Sequence, residues 1–291
     1  MAITAKDVAA LRARTGAGMG DCKKALEEAG GDIEKAIDVL RKKGVAKAEK
    51  RAGRTAAEGQ IITWVSDDGS LAAMIELNSE TDFVARNEEF VALATMVARH
   101  VAEDTSLDGV AEITADHALM NKHWHHDKSL TLAEVVKAAA AKTGENVTLR
   151  RVARYTSSGA VGSYRHFNGK IAVLVEVSGA TGAPAKALAS TVAEHVAAGV
   201  PFVPLAVRKE DVPADVVARE RAIYVDQAKE SGKPEAIVEK MVAGRIEKYY
   251  KEVTLLEQPW VRDPEKSIIQ IVKDVPGAGV ARFVRFQMGE A

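Results

Sequence analysis

Residues 59–78, GQIITWVSDDGSLAAMIELN, and residues 159–178, GAVGSYRHFNGKIAVLVEVS, align without a gap at an offset of one hundred. Gly59 meets Gly159, Trp64 meets Tyr164, Gly69 meets Gly169 and Glu76 meets Glu176. In each copy two apolar runs flank a polar stretch, SDDGS or FNGK. Each copy reads as a β-hairpin, because Asp-Gly and Asn-Gly supply the positive φ that a two-residue turn requires. A helical face follows each hairpin: Phe90, Val91, Leu93, Ala94, Val97 and Val101 in the first copy, AKALASTVAEHVAA in the second. An internal repeat of this kind restricts the body of the chain to two similar α+β units.

Outside the repeat the pattern is helical. Thr4 followed by Asp7 makes a capping box, Val8 and Leu11 face inward, and Thr15-Gly16-Ala17-Gly18 ends the helix. A second helix is expected over 21–29, stopped by Gly30-Gly31. A third is capped by Asp32, carries Ile33, Ala36, Ile37 and Leu40 on one face, and stops at Gly44. So small a bundle is marginal by itself. Residues 45–58, VAKAEKRAGRTAAE, are basic and poor in large apolar groups, a linker or an exposed helix. Residues 103–143 read as helical or irregular. Two helical stretches within 211–252, broken by SGKP at 231–234, predict an antiparallel helical hairpin, and VARFVRFQM at 280–288 predicts a final strand. The expected fold class is α+β: a three-helix bundle over 1–45, a basic linker over 46–58, and two hairpin-plus-helix subdomains over 59–143 and 144–291. The second subdomain holds the helical hairpin.

Composition excludes several classes of function. The formal net charge of -1 provides no global field to recruit nucleic acid or an anionic membrane. The basic cluster Arg41, Lys42, Lys43, Lys47, Lys50, Arg51 and Arg54 is local, is interrupted by Glu49, and lacks aromatic residues to stack on bases. It leaves an RNA- or ribosome-binding role as the alternative to a docking face for an acidic protein surface. A single cysteine, Cys22, rules out an intramolecular disulfide framework. Charges at Lys6, Asp7, Arg12 and Arg14 interrupt the start where a signal peptide needs an apolar core, and no apolar run approaches the roughly 20 residues of a membrane span. A cytoplasmic protein without membrane contact is expected.

Catalytic signatures are missing from the pattern. GSYRHFNGKI, from Gly162, has six residues between its glycines and Ile171 where a phosphate loop needs Ser or Thr, so it is better read as the hairpin turn. No Gly-x-Ser-x-Gly elbow occurs. His123, His125 and His126 could suggest a metal-dependent enzyme, but only Asp127 accompanies them. His100 and His195 take matching places near the ends of the repeat helices, where a helix C-terminus favours a partly positive imidazole. The expectation is a non-enzymatic protein with no cofactor, no metal and no nucleotide site of its own.

One stretch does not fit the scaffold. In the repeat register Asp82-Phe83 of NSETDFVARN falls opposite Gly182-Ala183, so the connection from hairpin to helix can be made without either side chain. Spacing leaves two readings open: Phe83 tucked beneath its own helix, or an apolar wedge with a flanking carboxylate that pries into a partner.

LRARTGAGMGDCKKAL (11–26), ELNSETDFVARN (76–87), GENVTLRRV (144–152), SGKPEAIVEKMVAGRIEKYYKEVTLLEQPWV (231–261) and FVRFQMGE (283–290) together closely resemble the bacterial translation elongation factor Ts family, in the family's order and over nearly the whole chain. The resemblance implies a guanine nucleotide exchange factor that binds elongation factor Tu in its GDP-bound and nucleotide-free forms and promotes GDP release. It implies that the bundle is ubiquitin-associated-like and docks on the partner's G domain through Arg12, Met19 and Lys23. It implies that Thr81, Asp82, Phe83 and Val84 form the wedge that disturbs the magnesium site. It further implies a G-domain contact at Thr143 and Gly144, and a contact of His166 with the partner's third domain. A homodimer or a 2:2 complex stays open. Three departures bear on this: Thr143 stands where the family often has an aliphatic residue, Gly20 replaces a second Met of some members, and the extra C-terminal helix of some members does not follow RFQMGEA.

Overall fold

A computed structural model describes residues 3–49, 51, 53–230 and 234–290. The chain divides into two compact units, one of Met1–Ile62, Ile75–Ala153 and Gln287–Ala291, the other of Thr63–Met74 and Arg154–Phe286.

The first unit opens with three helices, α1 (Ala5–Thr15), α2 (Met19–Glu28) and α3 (Ile33–Glu49). The Thr4–Asp7 capping box is present, and Asp32 caps α3 by accepting from the amide of Lys35 at 3.1 Å. Val8, Leu11, Cys22, Ala25, Leu26 and Ala36 make the buried centre. The expected stop at Gly44 is wrong: α3 runs through it to Glu49. Gly44 instead marks a close approach, since an added Cβ would lie 3.0 Å from the Cβ of Ala141. A glycine inside a helix costs backbone entropy but removes the bulk that would keep another helix away.

β1 (Glu58–Val65) and β2 (Leu71–Ser79) form the first hairpin, followed by a one-turn helix α4 (Asp82–Ala85) and α5 (Glu88–Glu103). Then come β3 (Gly109–Glu112), β4 (His123–Trp124), β5 (Asp127–Thr131), α6 (Leu132–Thr143) and β6 (Thr148–Thr156). The second copy is β7 (Ala160–Arg165), β8 (Ile171–Ser178) and α7 (Gly182–Ala198). After it come α8 (Ala214–Lys229), α9 (Glu235–Val253), β9 (Pro259–Trp260), β10 (Asp263–Ser267), α10 (Ile268–Lys273) and β11 (Gly279–Gln287). The strand orders are β1-β2-β6-β3 and β11-β8-β7, with β4–β5 and β9–β10 as small pairs. The expected final strand is therefore an edge of the second copy's sheet. α8 and α9 pack through Ala228, Val238, Val242 and Ile246. The break expected between them at Ser231-Gly232-Lys233 lies outside the described residues.

The repeat is exact in its hydrogen bonds. Ser66 N–H donates to Leu71 and His166 N–H to Ile171; Gly69 N–H donates to Ser66 and Gly169 N–H to His166. Each turn is thus a four-residue loop, not the expected two-residue one, and among the described residues no side-chain-bearing residue takes positive φ. Within the two loops only Gly69 (φ 73) and Gly169 (φ 69) do. The Asp68 carboxylate closes the first loop, accepting from Ser66 Oγ at 2.6 Å and from Ser70 N–H at 3.0 Å. Those bonds, the one from Ser66 foremost, hold its pKa down at about 2. Gly59 and Gly159 are matched by a steric need, because a Cβ would come within 2.2 Å of the Leu77 carbonyl oxygen in one and 2.1 Å of that of Val177 in the other. Glu76 and Glu176 each find arginine: Glu76, fully buried, pairs with Arg150 and Arg151, and Glu176 with Arg282 at 2.6 Å.

Candidate partner-binding site

Phe83 lies on α4 and is 84% exposed. It is not tucked beneath its helix, which removes the scaffold reading that spacing left open. The second copy explains what the insertion did to the backbone: a single helix, α7, starts at Gly182, whereas the first copy inserts one extra turn before α5.

A single turn of helix is not stable in isolation, since nucleation fixes several residues for one hydrogen bond. α4 is held from outside. Thr81 Oγ1 caps it by accepting from Val84 N–H at 3.4 Å, and the buried Gln60 donates from Nε2 to the carbonyl of Ala85 at 2.8 Å. Asn87 restarts the chain as the cap of α5, accepting from the amides of Glu89 and Phe90. Asp82 faces Arg86 at 3.2 Å in an exposed pair.

The strongest restraint comes from the loop after α6. The Glu145 carboxylate accepts from Glu80 N–H at 3.1 Å, Thr81 N–H at 3.0 Å and Thr81 Oγ1 at 2.6 Å. The Glu80 carboxylate answers by accepting from Asn146 N–H at 2.6 Å. The two segments exchange carboxylates. Thr143 Oγ1 donates to Ala139 O and accepts from Glu145 N–H, so its hydroxyl is spent inside the protein. Gly144 ends α6 in the left-handed conformation at φ 78, which a side chain would strain.

Arg12 and Met19 line an open cleft with Thr15, Gly16, Glu89 and Lys142. Lys142 pairs with Glu89 at 2.8 Å and lies across Gly16, where an added Cβ would sit 2.8 Å from Lys142 Cε. Lys23 is exposed one turn further along α2, near Glu27 at 4.0 Å. The first unit thereby gathers three separated motifs. Arg12 and Met19 share a cleft with Lys142, which adjoins Thr143 and Gly144, and Glu145 joins those to Thr81 and the α4 turn.

His166 belongs to the second unit, on the β7–β8 turn, where Tyr164 Oη lies 3.2 Å from His166 Nδ1 and the Phe167 ring centroid lies 4.5 Å from that of His166. Phe167 is 89% exposed, and the sequence reading passed over it. The signal available was its mismatch with the repeat, since Asp67 occupies the matching place. Glu145 was visible inside GENV, but its partners lie 64 and 65 residues away and spacing does not encode them.

Several residues of the alternative readings have partners inside the protein. Arg41 pairs with Glu134 at 2.7 Å, Lys43 with Glu28, and Arg54 with Glu80 at 3.5 Å, while Arg51 donates to the carbonyl of Ala140. These side chains tie α3 and the segment after it to the rest of the unit. Lys50 lies outside the described residues. His125 packs between aromatic rings and sits 3.5 Å from Glu103, and among the described residues no three His, Cys, Asp or Glu side chains gather as metal ligands. His100 and His195 are buried, and burial holds both pKa values below the ordinary imidazole range. The direction is opposite to the one expected at helix ends, and loss of water is its leading cause in both. Among the described residues no helix is long and apolar enough to cross a membrane.

The family profile described as "Elongation factor TS" matches residues 80–290. Curated relatives named elongation factor Ts align along nearly the full length. That of Clostridium botulinum (strain Alaska E43 / Type E3) is 48% identical over 99% of this chain and 93% of its own. That of Alkalilimnicola ehrlichii is 46% identical over 100% and 93%, and that of Aquifex aeolicus 45% identical over 99% of each.

Proposed function

The chain belongs to the elongation factor Ts family of translation elongation factors, and from that premise we propose that it is a nucleotide exchange factor that releases GDP from elongation factor Tu by inserting Phe83 into the G domain. The observation that carries the wedge is the exposure of Phe83 on a turn tied down on several sides. Leaving a phenylalanine in water forgoes about 1.5–3 kcal/mol of burial, a cost that binding would recover. Thr81 and Val84 shape the turn, and Asp82 sets a carboxylate beside the ring. The insertion disturbs the magnesium and phosphate environment of the bound nucleotide, which the factor itself does not contact.

Phe83 is not sufficient. Weakening a nucleotide about a thousandfold takes roughly 4 kcal/mol of differential binding. Other contacts must therefore also favour the distorted partner. Arg12, Met19 and Lys23 on the bundle, the Thr143–Gly144 corner and His166 are the residues assigned to that task. The test is release of a fluorescent GDP from elongation factor Tu under stopped flow. Wild type accelerates release strongly, and Phe83→Ala loses most of that acceleration while remaining folded. Wild type leaving the release rate unchanged would remove the exchange reading.

A further inference from the structure

We propose that Glu145 is the positioning residue of the exchange site, the group that holds the Thr81–Val84 turn so that Phe83 is presented in one orientation. The inference rests on the exchange reading for its consequence in catalysis of release, and on geometry alone for the positioning itself. An exposed ring has no packing to orient it, so its direction is set by its backbone. That backbone is one turn of helix, whose entrance is fixed at Glu80 and Thr81 by the Glu145 carboxylate. Two of the three donors are amides that α4 cannot satisfy internally, and the third is the hydroxyl that caps the turn.

The clasp also has direction. Thr81 Oγ1 gives its proton to Glu145 and turns its lone pair to Val84 N–H, so the carboxylate selects the capping rotamer. Glu145 is fixed in turn, with its amide on Thr143 Oγ1 and the adjacent Asn146 amide on Glu80. Asn146 Nδ2 donates to Arg54 O at 2.7 Å. Removing the Glu145 side chain takes the acceptor from two backbone amides and frees the cap, while the buried faces of α5 and β2 keep their contacts. The expected result is a wedge attached to a folded protein but no longer held.

Two measurements on the full chain decide it. Amide hydrogen exchange of the free protein, followed by mass spectrometry, reads positioning without any partner. Glu145→Ala raises exchange across residues 80–86 by about tenfold or more while α5 and β2 keep wild-type protection. Unchanged protection at 80–86 overturns the proposal. Thr81→Val, which removes the hydroxyl from the other side, loosens the same segment and serves if Glu145→Ala does not fold.

GDP release from elongation factor Tu then reads consequence. Glu145→Ala lowers the maximal rate about tenfold or more with a smaller change in the half-saturating concentration, and Glu145→Gln falls between it and wild type. In a Phe83→Ala background the same substitution costs less than about twofold, because its effect passes through the ring. Equal losses in both backgrounds overturn the proposal. Wild type failing to accelerate release removes the exchange reading, while the amide measurement still decides whether Glu145 holds the turn.

Discussion

At the residue scale the two informative side chains behave oppositely. Phe83 is large, apolar and exposed, so its loss touches no core. Phe83→Ala should move stability by no more than about 0.5 kcal/mol in thermal unfolding, against a large loss of GDP release, and a comparable fall in both would contradict the separation. His195 is buried and satisfied as a neutral ring: Nε2 lies 2.9 Å from Gln258 Oε1, and Nδ1 accepts from Val261 N–H at 3.2 Å. Burial lowers its pKa, and protonating Nδ1 would also break the second bond. The unfolded chain therefore takes up a proton before the folded one does. The stability contribution is complete above the unfolded pKa of about 6.5 and is lost as pH falls through the lower folded value. Melting between pH 7.5 and pH 5.5 should show a fall for wild type that is smaller for His195→Gln. Equal falls would show that His195 does not drive it.

At the scale of elements the repeat is a set of backbone requirements. Gly159 has no room for a Cβ, because Val177 O occupies the place. Gly159→Ala should cost about 2 kcal/mol or more, as steric conflicts with backbone do. Gly244 is the contrast: it lies inside α9 with open space around it, and Gly244→Ala should stabilise by roughly 0.5–1 kcal/mol. Denaturant titration of both variants checks the pair, and a destabilised Gly244→Ala would mean that α9 is covered in solution. The same comparison shows how far pattern reaches. Glycines 69 and 169 are legible as turn residues because Asp-Gly and Asn-Gly mark a positive-φ position, yet the expected loop length is wrong, since side-chain bonds such as those of Asp68 set it. Gly44 was misread as a stop because a glycine that ends a helix and one that admits a neighbouring helix look alike in sequence.

At the scale of the whole molecule exchange is a coupling between two ligands of one GTPase, and such coupling is reciprocal. Whatever factor this protein takes from the affinity of GDP, saturating GDP must take from the affinity of this protein for elongation factor Tu. Calorimetry of the complex with and without GDP should return the same factor that nucleotide titrations give, and unequal factors would mean that one of the two measurements had not reached equilibrium. The amino-acid sequence by itself determined the two hairpins with a helix after each and the caps of α1 and α3. These follow from local rules of period, capping and φ that act within a few residues. Only the tertiary structure decided that Phe83 stands in water, that Glu145 clasps the turn, and that the basic side chains of Arg41, Lys43 and Arg54 are already paired. Each of those depends on groups brought together across the fold, as from residue 81 to 145 or from 41 to 134, and hydrophobic periodicity carries no record of such partners.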